Sequence, residues 1–380
     1  MQVVPIASGK GGVGKSLLAA NISLALSQAG KRVVVADVDL GGSNLHLILG
    51  IMGIKKGIGT FLNDSSMDFQ EIVLDTEYKN LRFIPGDTEI PGTANIKTFQ
   101  KKKLIRRLLS LDADYLVMDL GAGTNFNTID FFLISGSGLV VTAPTPTANL
   151  NAYLFIKNVV FRIMNSSFKK DSKAQEYINS LLKSGTTFQQ IYMPKLLGAI
   201  RERDPESYAQ FQKRAASFRP RLVLNLLDDP KDANKAKRLR RSCKEYLGVD
   251  VEHLGIIYRD ELQDVALQSR LPILLYKPDT VLSQAIYRIA DKLVQTEEAV
   301  PGPVDFGNLE EGYQEADIEA EIDFETKIRY MEDLLHCGAL TQGDLVETIK
   351  TQQYEINQLR KENTFLKTKI ARAIEAGFGG

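Results

Sequence analysis

Long apolar runs are missing from this chain. Nowhere do eighteen apolar residues follow one another, so no membrane-spanning helix is expected. Cysteine is scarce: Cys243 and Cys337 are the only two, far apart in the chain. That excludes a disulfide framework and a Cys-x-x-Cys metal site, and suits a reducing compartment. A strand pattern begins almost at Met1 with no signal-peptide pattern ahead of it, so a cytoplasmic location is expected.

Net charge is also absent, 47 Lys and Arg balancing 47 Asp and Glu, but the balance hides an asymmetry. Residues 1–296 carry 39 basic and 29 acidic side chains, a surplus of ten. Residues 297–326 carry eleven acids and no Lys or Arg, and 327–380 are close to neutral. A basic body followed by an acidic strip points toward anionic partners. At 380 residues and 44% hydrophobic, the chain buries a sizeable core and is expected to hold more than one unit.

What is present is a phosphate-binding loop. Gly9-Lys10-Gly11-Gly12-Val13-Gly14-Lys15-Ser16 fits G-x-x-x-x-G-K-[ST] at every fixed position. The apolar run Val3-Val4-Pro5-Ile6-Ala7 leads in, and a helical pattern through Leu17, Leu18, Ile22 and Leu26 leads out. The glycines let successive backbone N–H groups converge on phosphate oxygens, and the helix N-terminus adds its positive end. Lys15 reaches the β- and γ-phosphates, and the Ser16 hydroxyl ligands Mg²⁺.

Two further strands end in acids. Arg32 to Asp39 reads as a buried parallel strand, with Asp37 and Asp39 on the same side at its carboxyl edge, where α/β sheets bind ligands. Tyr115-Leu116-Val117-Met118-Asp119 closes on an acid and runs into Leu120-Gly121-Ala122-Gly123. Asp119 is expected to hold Ser16 and the Mg²⁺ shell, and the amides from Gly121 to Gly123 to approach a γ-phosphate.

A second lysine inside the loop, Lys10, has no task in a plain P-loop. Gly-Lys-Gly-Gly-Val-Gly-Lys-Ser resembles the deviant Walker A motif of the MinD/ParA family, and the resemblance covers about residues 1–296. It implies an α/β Rossmann-like P-loop NTPase with a mostly parallel twisted sheet flanked by helices. ATP and Mg²⁺ are the implied cofactors, with two subunits sandwiching two nucleotides, each Lys10 reaching its partner's. By the same resemblance Gly9, Gly11, Gly12, Val13, Gly14, Lys15, Ser16 and Leu17 contact nucleotide, and Asp39 positions the attacking water beside the metal site of Ser16, Asp39 and Asp119. Residues 40–45 match switch I, with Asn44 near the phosphates. Gly121 matches switch II, and Asn225 matches the asparagine that hydrogen-bonds adenine. Asp-Leu-Gly-Ala-Gly is closer to the flagellar regulators of the family, the FlhG/FleN group, than to MinD. Thr145 and Asn151 stand where relatives carry a glutamate and an aspartate, and the paired cysteines of the superfamily's iron–sulfur carriers are missing.

Outside the motifs, residues 164–220 read as a helical insertion, with Asp204-Pro205 starting a helix by N-cap and first-turn proline. Basic helices are expected at 98–111 and 231–246, which suit a nonspecific DNA surface or a merely solvated face. The acidic strip 297–326 is expected to be a disordered, self-repelling linker. Beyond it, a short helix from Phe324 to Leu335 precedes a long one with a heptad at about 345–374. Position a holds Ile349, Ile356, Asn363 and Ile370, and position d holds Leu345, Gln352, Leu359, Leu366 and Ala373. Glu355 faces Arg360 of a second copy, and Glu362 faces Lys367, which favours a parallel dimeric coiled coil over an amphipathic helix packed on its own domain.

The expected function is therefore an ATP-dependent dimerising ATPase that couples hydrolysis to positioning a flagellar, polar or chromosomal cargo through an unidentified protein partner. Polar or nucleoid-associated localisation would follow, and the acidic end argues against simple membrane docking. A nucleotide-gated scaffold, or a nonspecific DNA-binding protein with little turnover, is the alternative.

Overall fold

Eight strands form a single sheet in the order β3-β4-β2-β5-β1-β6-β7-β8 in the computed structural model. They are β1 (Gln2–Ala7), β2 (Val33–Val38), β3 (Leu74–Asp75), β4 (Leu81–Ile84), β5 (Tyr115–Leu120), β6 (Leu139–Thr142), β7 (Arg221–Leu227) and β8 (Glu252–Tyr258). Among the described residues only the short edge strand β3 runs antiparallel. The structure describes residues 1–39, 41–86, 96–183, 191–298 and 306–336, with scattered positions between 343 and 364. It divides into two units, Met1–Asp323 and Phe324–Gly380.

The central strands β2 and β5 are buried at every residue, as unbroken runs of β-branched and apolar side chains require when helices cover both faces. On one face the P-loop helix Lys15–Gln28 packs with Val281–Glu298, joining Leu18, Ile22 and Leu26 to Ile286, Ile289 and Leu293 in the core. On the other, Phe132 meets Phe155 of helix Pro146–Ser167 edge-on, with ring centroids 5.0 Å apart. The strand order reverses direction at β1, the strand that feeds the P-loop. That switch point opens a crevice at the carboxyl edge.

The insertion comprises helices Lys173–Lys183, Met193–Arg203 and Pro205–Ala215. Asp204 caps the last of them by accepting from the Ser207 amide at 3.0 Å, as the Asp-Pro pair predicts, and Phe211 and Phe218 face inward.

The acidic strip departs from the expectation. Residues 306–323 are not a disordered linker but the first part of helix Phe306–His336, which begins well ahead of the short helix read from the sequence. Composition alone predicts self-repulsion, but here the acids meet cations from the body. Lys237 pairs with Asp317, Lys292 with Glu319 at 2.8 Å, and Arg288 with Asp323 at 2.5 Å. Of the heptad positions only Ile349 is described, in a helical conformation and exposed. The remaining positions, and with them the coiled coil, lie outside the described residues.

Candidate nucleotide-binding site

β1 ends at Ala7 and the chain turns through the glycine loop into Lys15. Gly12 and Gly14 take φ of 79° and 90°, the left-handed region that a side chain rarely adopts. Gly9 is needed for space: a Cβ there would stand 2.0 Å from the Asn151 carbonyl oxygen, so the loop lies directly against helix Pro146–Ser167. Around Gly11 and Gly12 the space is open, and a Cβ at either would meet no atom beyond its chain neighbours within 4 Å. The loop is thus braced on one side and free on the side where its amides face a ligand. Leu17 adds no side chain to this cradle, because it packs against the core.

Beneath the loop lie three carboxylates. Asp119 is 1% exposed and accepts a hydrogen bond from Ser16. Its Oδ1 has no hydrogen-bond partner in the structure. Burial foremost, and then the charge of Asp37, push its pKa up to about 8, against the pull of Ser16 and Lys15. A buried carboxylate oxygen left unpaired is costly, and a cation beside Ser16 would satisfy it. Residues present therefore fit Mg²⁺, which in phosphate sites takes only one or two protein carboxylates.

Asp37 pairs in register with Asp119 on the neighbouring strand, and burial raises its pKa to about 6. Its two oxygens are used on the loop that follows: Ser43 Oγ donates at 2.6 Å, the Leu45 amide at 3.1 Å and the Asp39 amide at 3.2 Å. Sequence reasoning placed Asp37 at the strand edge but not in the site. Its task, anchoring the loop from Asp39 to Leu45, is carried by contacts that spacing alone does not reveal.

Asp39 is half-buried and lies against Gly121, where a Cβ would come within 3.0 Å of its Oδ1. The Gly123 amide donates to the Ser8 carbonyl at 3.0 Å, joining that glycine segment to the root of the P-loop. Asn44 is exposed and turns its amide onto the Gly42 carbonyl at 2.9 Å. Lys10 is exposed and directs its Nζ to Thr147 Oγ1 of its own chain at 3.4 Å, while Thr145 caps the helix through the Ala148 amide.

Asn225, at the far end of β7, is 3% exposed, and its Nδ2 donates to the Val13 carbonyl at 2.9 Å. In this structure its amide nitrogen therefore serves the P-loop backbone. Leu226 follows with φ 62°, a strained conformation for leucine that bends the strand end there. Lys10, Lys15, Ser16, Asp39, Asp119, Gly121 and Asn225 thus come to one carboxyl edge of the sheet, from four strands distant in sequence.

A family profile described as ParA, NUBPL iron-transfer P-loop NTPase, matches residues 1–161. The flagellum site-determining protein YlxH of Helicobacter pylori is 36% identical over 160 residues, 40% of this chain and 52% of that protein. The antiactivator FleN of Pseudomonas aeruginosa is 29% identical over 159 residues, 41% of this chain and 56% of that protein. The chain spans about half the length of the curated relatives it matches. Among solved structures, the cell division ATPase MinD of Pyrococcus furiosus superposes with a TM-score of 0.54 at 18% identity, covering 78% of this chain and 99% of that one. MinD of Pyrococcus horikoshii, complexed with Mg-ADP, gives 0.52 at 18% identity over 79% and 99%. At that identity the likeness is one of fold.

Proposed function

Because this chain is a P-loop NTPase of the ParA/MinD family, grouping with the FlhG/YlxH and FleN proteins, we propose that it hydrolyses ATP as a homodimer and couples the cycle to spatial positioning. The observation that supports this best is the buried Asp119 carboxylate, one oxygen bonded to Ser16 and the other unpaired, directly under the P-loop with Lys15.

In this reading Lys15 and the loop amides bind the triphosphate, and Ser16, Asp39 and Asp119 would hold Mg²⁺, which supplies charge neutralisation when bound. Asp39 orients the attacking water, and Gly121 leaves the room it needs. Lys10 leaves Thr147 and crosses to the partner's phosphates. A lone subunit then hydrolyses poorly, because the developing charge lacks its second cation. An iron-transfer role finds no paired cysteines in this chain. Cys243 is buried with its thiol pushed up to about 12, and no second cysteine stands near it in sequence.

The surface on which the dimer works is, in this reading, nonspecific DNA, supported by the surplus of ten positive charges on residues 1–296. A protein partner, a C-terminal coiled coil, and cytoplasmic residence at a pole or on the nucleoid belong to the same proposal. No described helix is long and apolar enough to cross a membrane.

Multiple-turnover ATPase assays beside gel filtration test the core of it. Lys15→Ala should abolish ATP binding. Lys10→Ala should keep binding but lose turnover, and in a chain ending at His336, without the heptad, it should also lose ATP-driven pairing. Normal turnover in Lys10→Ala would overturn the sandwich.

A further inference from the structure

The acidic segment 317–323 sits on the face of the body where cations gather. Asp317 pairs with Lys237 of helix Asn234–Leu247, while Glu319 and Asp323 pair with Lys292 and Arg288 of helix Val281–Glu298. Between them, the Tyr258 hydroxyl at the end of β8 donates to the Ala320 carbonyl at 2.7 Å, and Ala320 is 1% exposed. Alanine at that position lets the helix approach closely enough for one backbone carbonyl to be bonded by a side chain of the sheet.

Two features mark this contact as removable. Solvent reaches both members of the Lys237–Asp317 pair, at 40% and 41% side-chain exposure, so water and salt compete with it. The outward side of the segment carries Ile318 and Ile322, both more than half exposed, so the segment gains little apolar burial from its outer face.

The segment holds Lys237, Arg288 and Lys292, and the row of cations continues beyond it along Asn234–Leu247. There Arg241 and Lys244 follow Lys237 at helical spacing, exposed and paired with Glu245 at 3.8 Å and Asp250 at 3.1 Å. The exposed residues of that helix are charged or polar apart from Tyr246, so it offers no apolar face to insert among lipids. A row of cations without an apolar face suits the regularly spaced phosphates of a duplex.

We propose that residues 317–323 are a removable acidic cover over a DNA-binding face formed by Lys237, Arg241, Lys244, Arg288 and Lys292, and that duplex DNA and the cover compete for the same cations. Docked, the cover withholds three of them, and released, it returns them. The proposal takes from the functional reading only the DNA surface, and it is independent of the Lys10 sandwich.

The test is fluorescence anisotropy of the full chain with a labelled duplex of arbitrary sequence, titrated from 50 to 200 mM salt. Wild type is compared with the triple variant Asp317→Asn, Glu319→Gln, Asp323→Asn and with Tyr258→Phe. Three extra neutralised phosphates steepen the salt dependence, so the triple variant should lose about 40-fold more affinity than wild type over that range. It should also bind more tightly at 50 mM. Tyr258→Phe alters no charge, so a smaller gain in the same direction separates uncovering from a change in net charge.

Equal curves for all three proteins would overturn the cover while leaving the DNA reading intact. Absence of DNA binding in every variant would overturn both. A gain seen with phosphatidylserine vesicles but not with the duplex would overturn the assignment to DNA. The ATPase rate of Lys10→Ala, read separately, tells failure of the sandwich from each of these.

Discussion

Asn225 reaches across 212 residues of sequence to donate its side-chain amide to the carbonyl of Val13, tying the end of β7 to the middle of the P-loop. Gly14 makes the contact feasible, since a Cβ there would stand 2.2 Å from the amide nitrogen. The bond is buried, so removing the donor strands a carbonyl at a cost of about 1–3 kcal/mol.

Asn225→Ala should therefore loosen the loop itself. Affinity for ATP and for inorganic tripolyphosphate should fall together, each by roughly tenfold for a loss of about 1.4 kcal/mol. Calorimetric titration with both ligands decides the matter. Loss for ATP with tripolyphosphate untouched would show a contact with the base instead of a brace on the loop.

Asp39 and Gly121 form a second dependent pair. A methyl group at Gly121 would press within 3.0 Å of Asp39 Oδ1 and displace the carboxylate by a few tenths of an ångström. Gly121→Ala should lower kcat by about tenfold or more with little change in KM, because water orientation suffers before binding does. Asp39→Ala should go further, binding ATP but not turning it over, so that a chain ending at His336, without the heptad, stays dimeric with ATP in gel filtration. Normal kcat in Gly121→Ala would remove Asp39 from its assigned role.

His253 gives the fold a pH dependence of definite sign. Burial foremost, with Lys292 and Lys237 nearby, lowers its pKa to about 3, against an ordinary 6.5. The folded state thus keeps the imidazole neutral while the unfolded chain takes up a proton below about 6.5. Its contribution to stability is complete above that pH and is lost progressively as pH falls toward 3. Wild type should lose up to about 1.4 kcal/mol per pH unit more than His253→Gln between pH 6 and 4, measured by urea unfolding. Parallel slopes would mean that the imidazole is already charged in the folded protein.

The heptad of the C-terminal region predicts a dimer that does not depend on nucleotide. A chain ending at His336 keeps the paired acids Asp317, Glu319 and Asp323 and removes the heptad. It should run as a monomer without ATP, while the full chain runs as a dimer, in light scattering at equal concentration. Cutting after Thr296 instead would also strip Asp317, Glu319 and Asp323 from the body and confuse the two effects. A monomeric full chain without ATP would exclude the coiled coil.

The sequence by itself determined whatever is written in local spacing. The glycines and Lys15 of the P-loop, the buried strands that close on Asp37 and Asp119, and the Asp204-Pro205 helix start each depend on neighbours a few residues away, and all stand where their spacing put them. Tertiary structure alone decided the tasks that depend on groups brought from elsewhere. Asp37 became the anchor of the Asp39–Leu45 loop, Asn225 a brace on Val13, and residues 306–323 of the acidic strip part of a helix. The physical reason is the same in each case. A carboxylate or an amide carries no record in its own segment of which distant cation, amide or carbonyl will meet it, and folding supplies that partner.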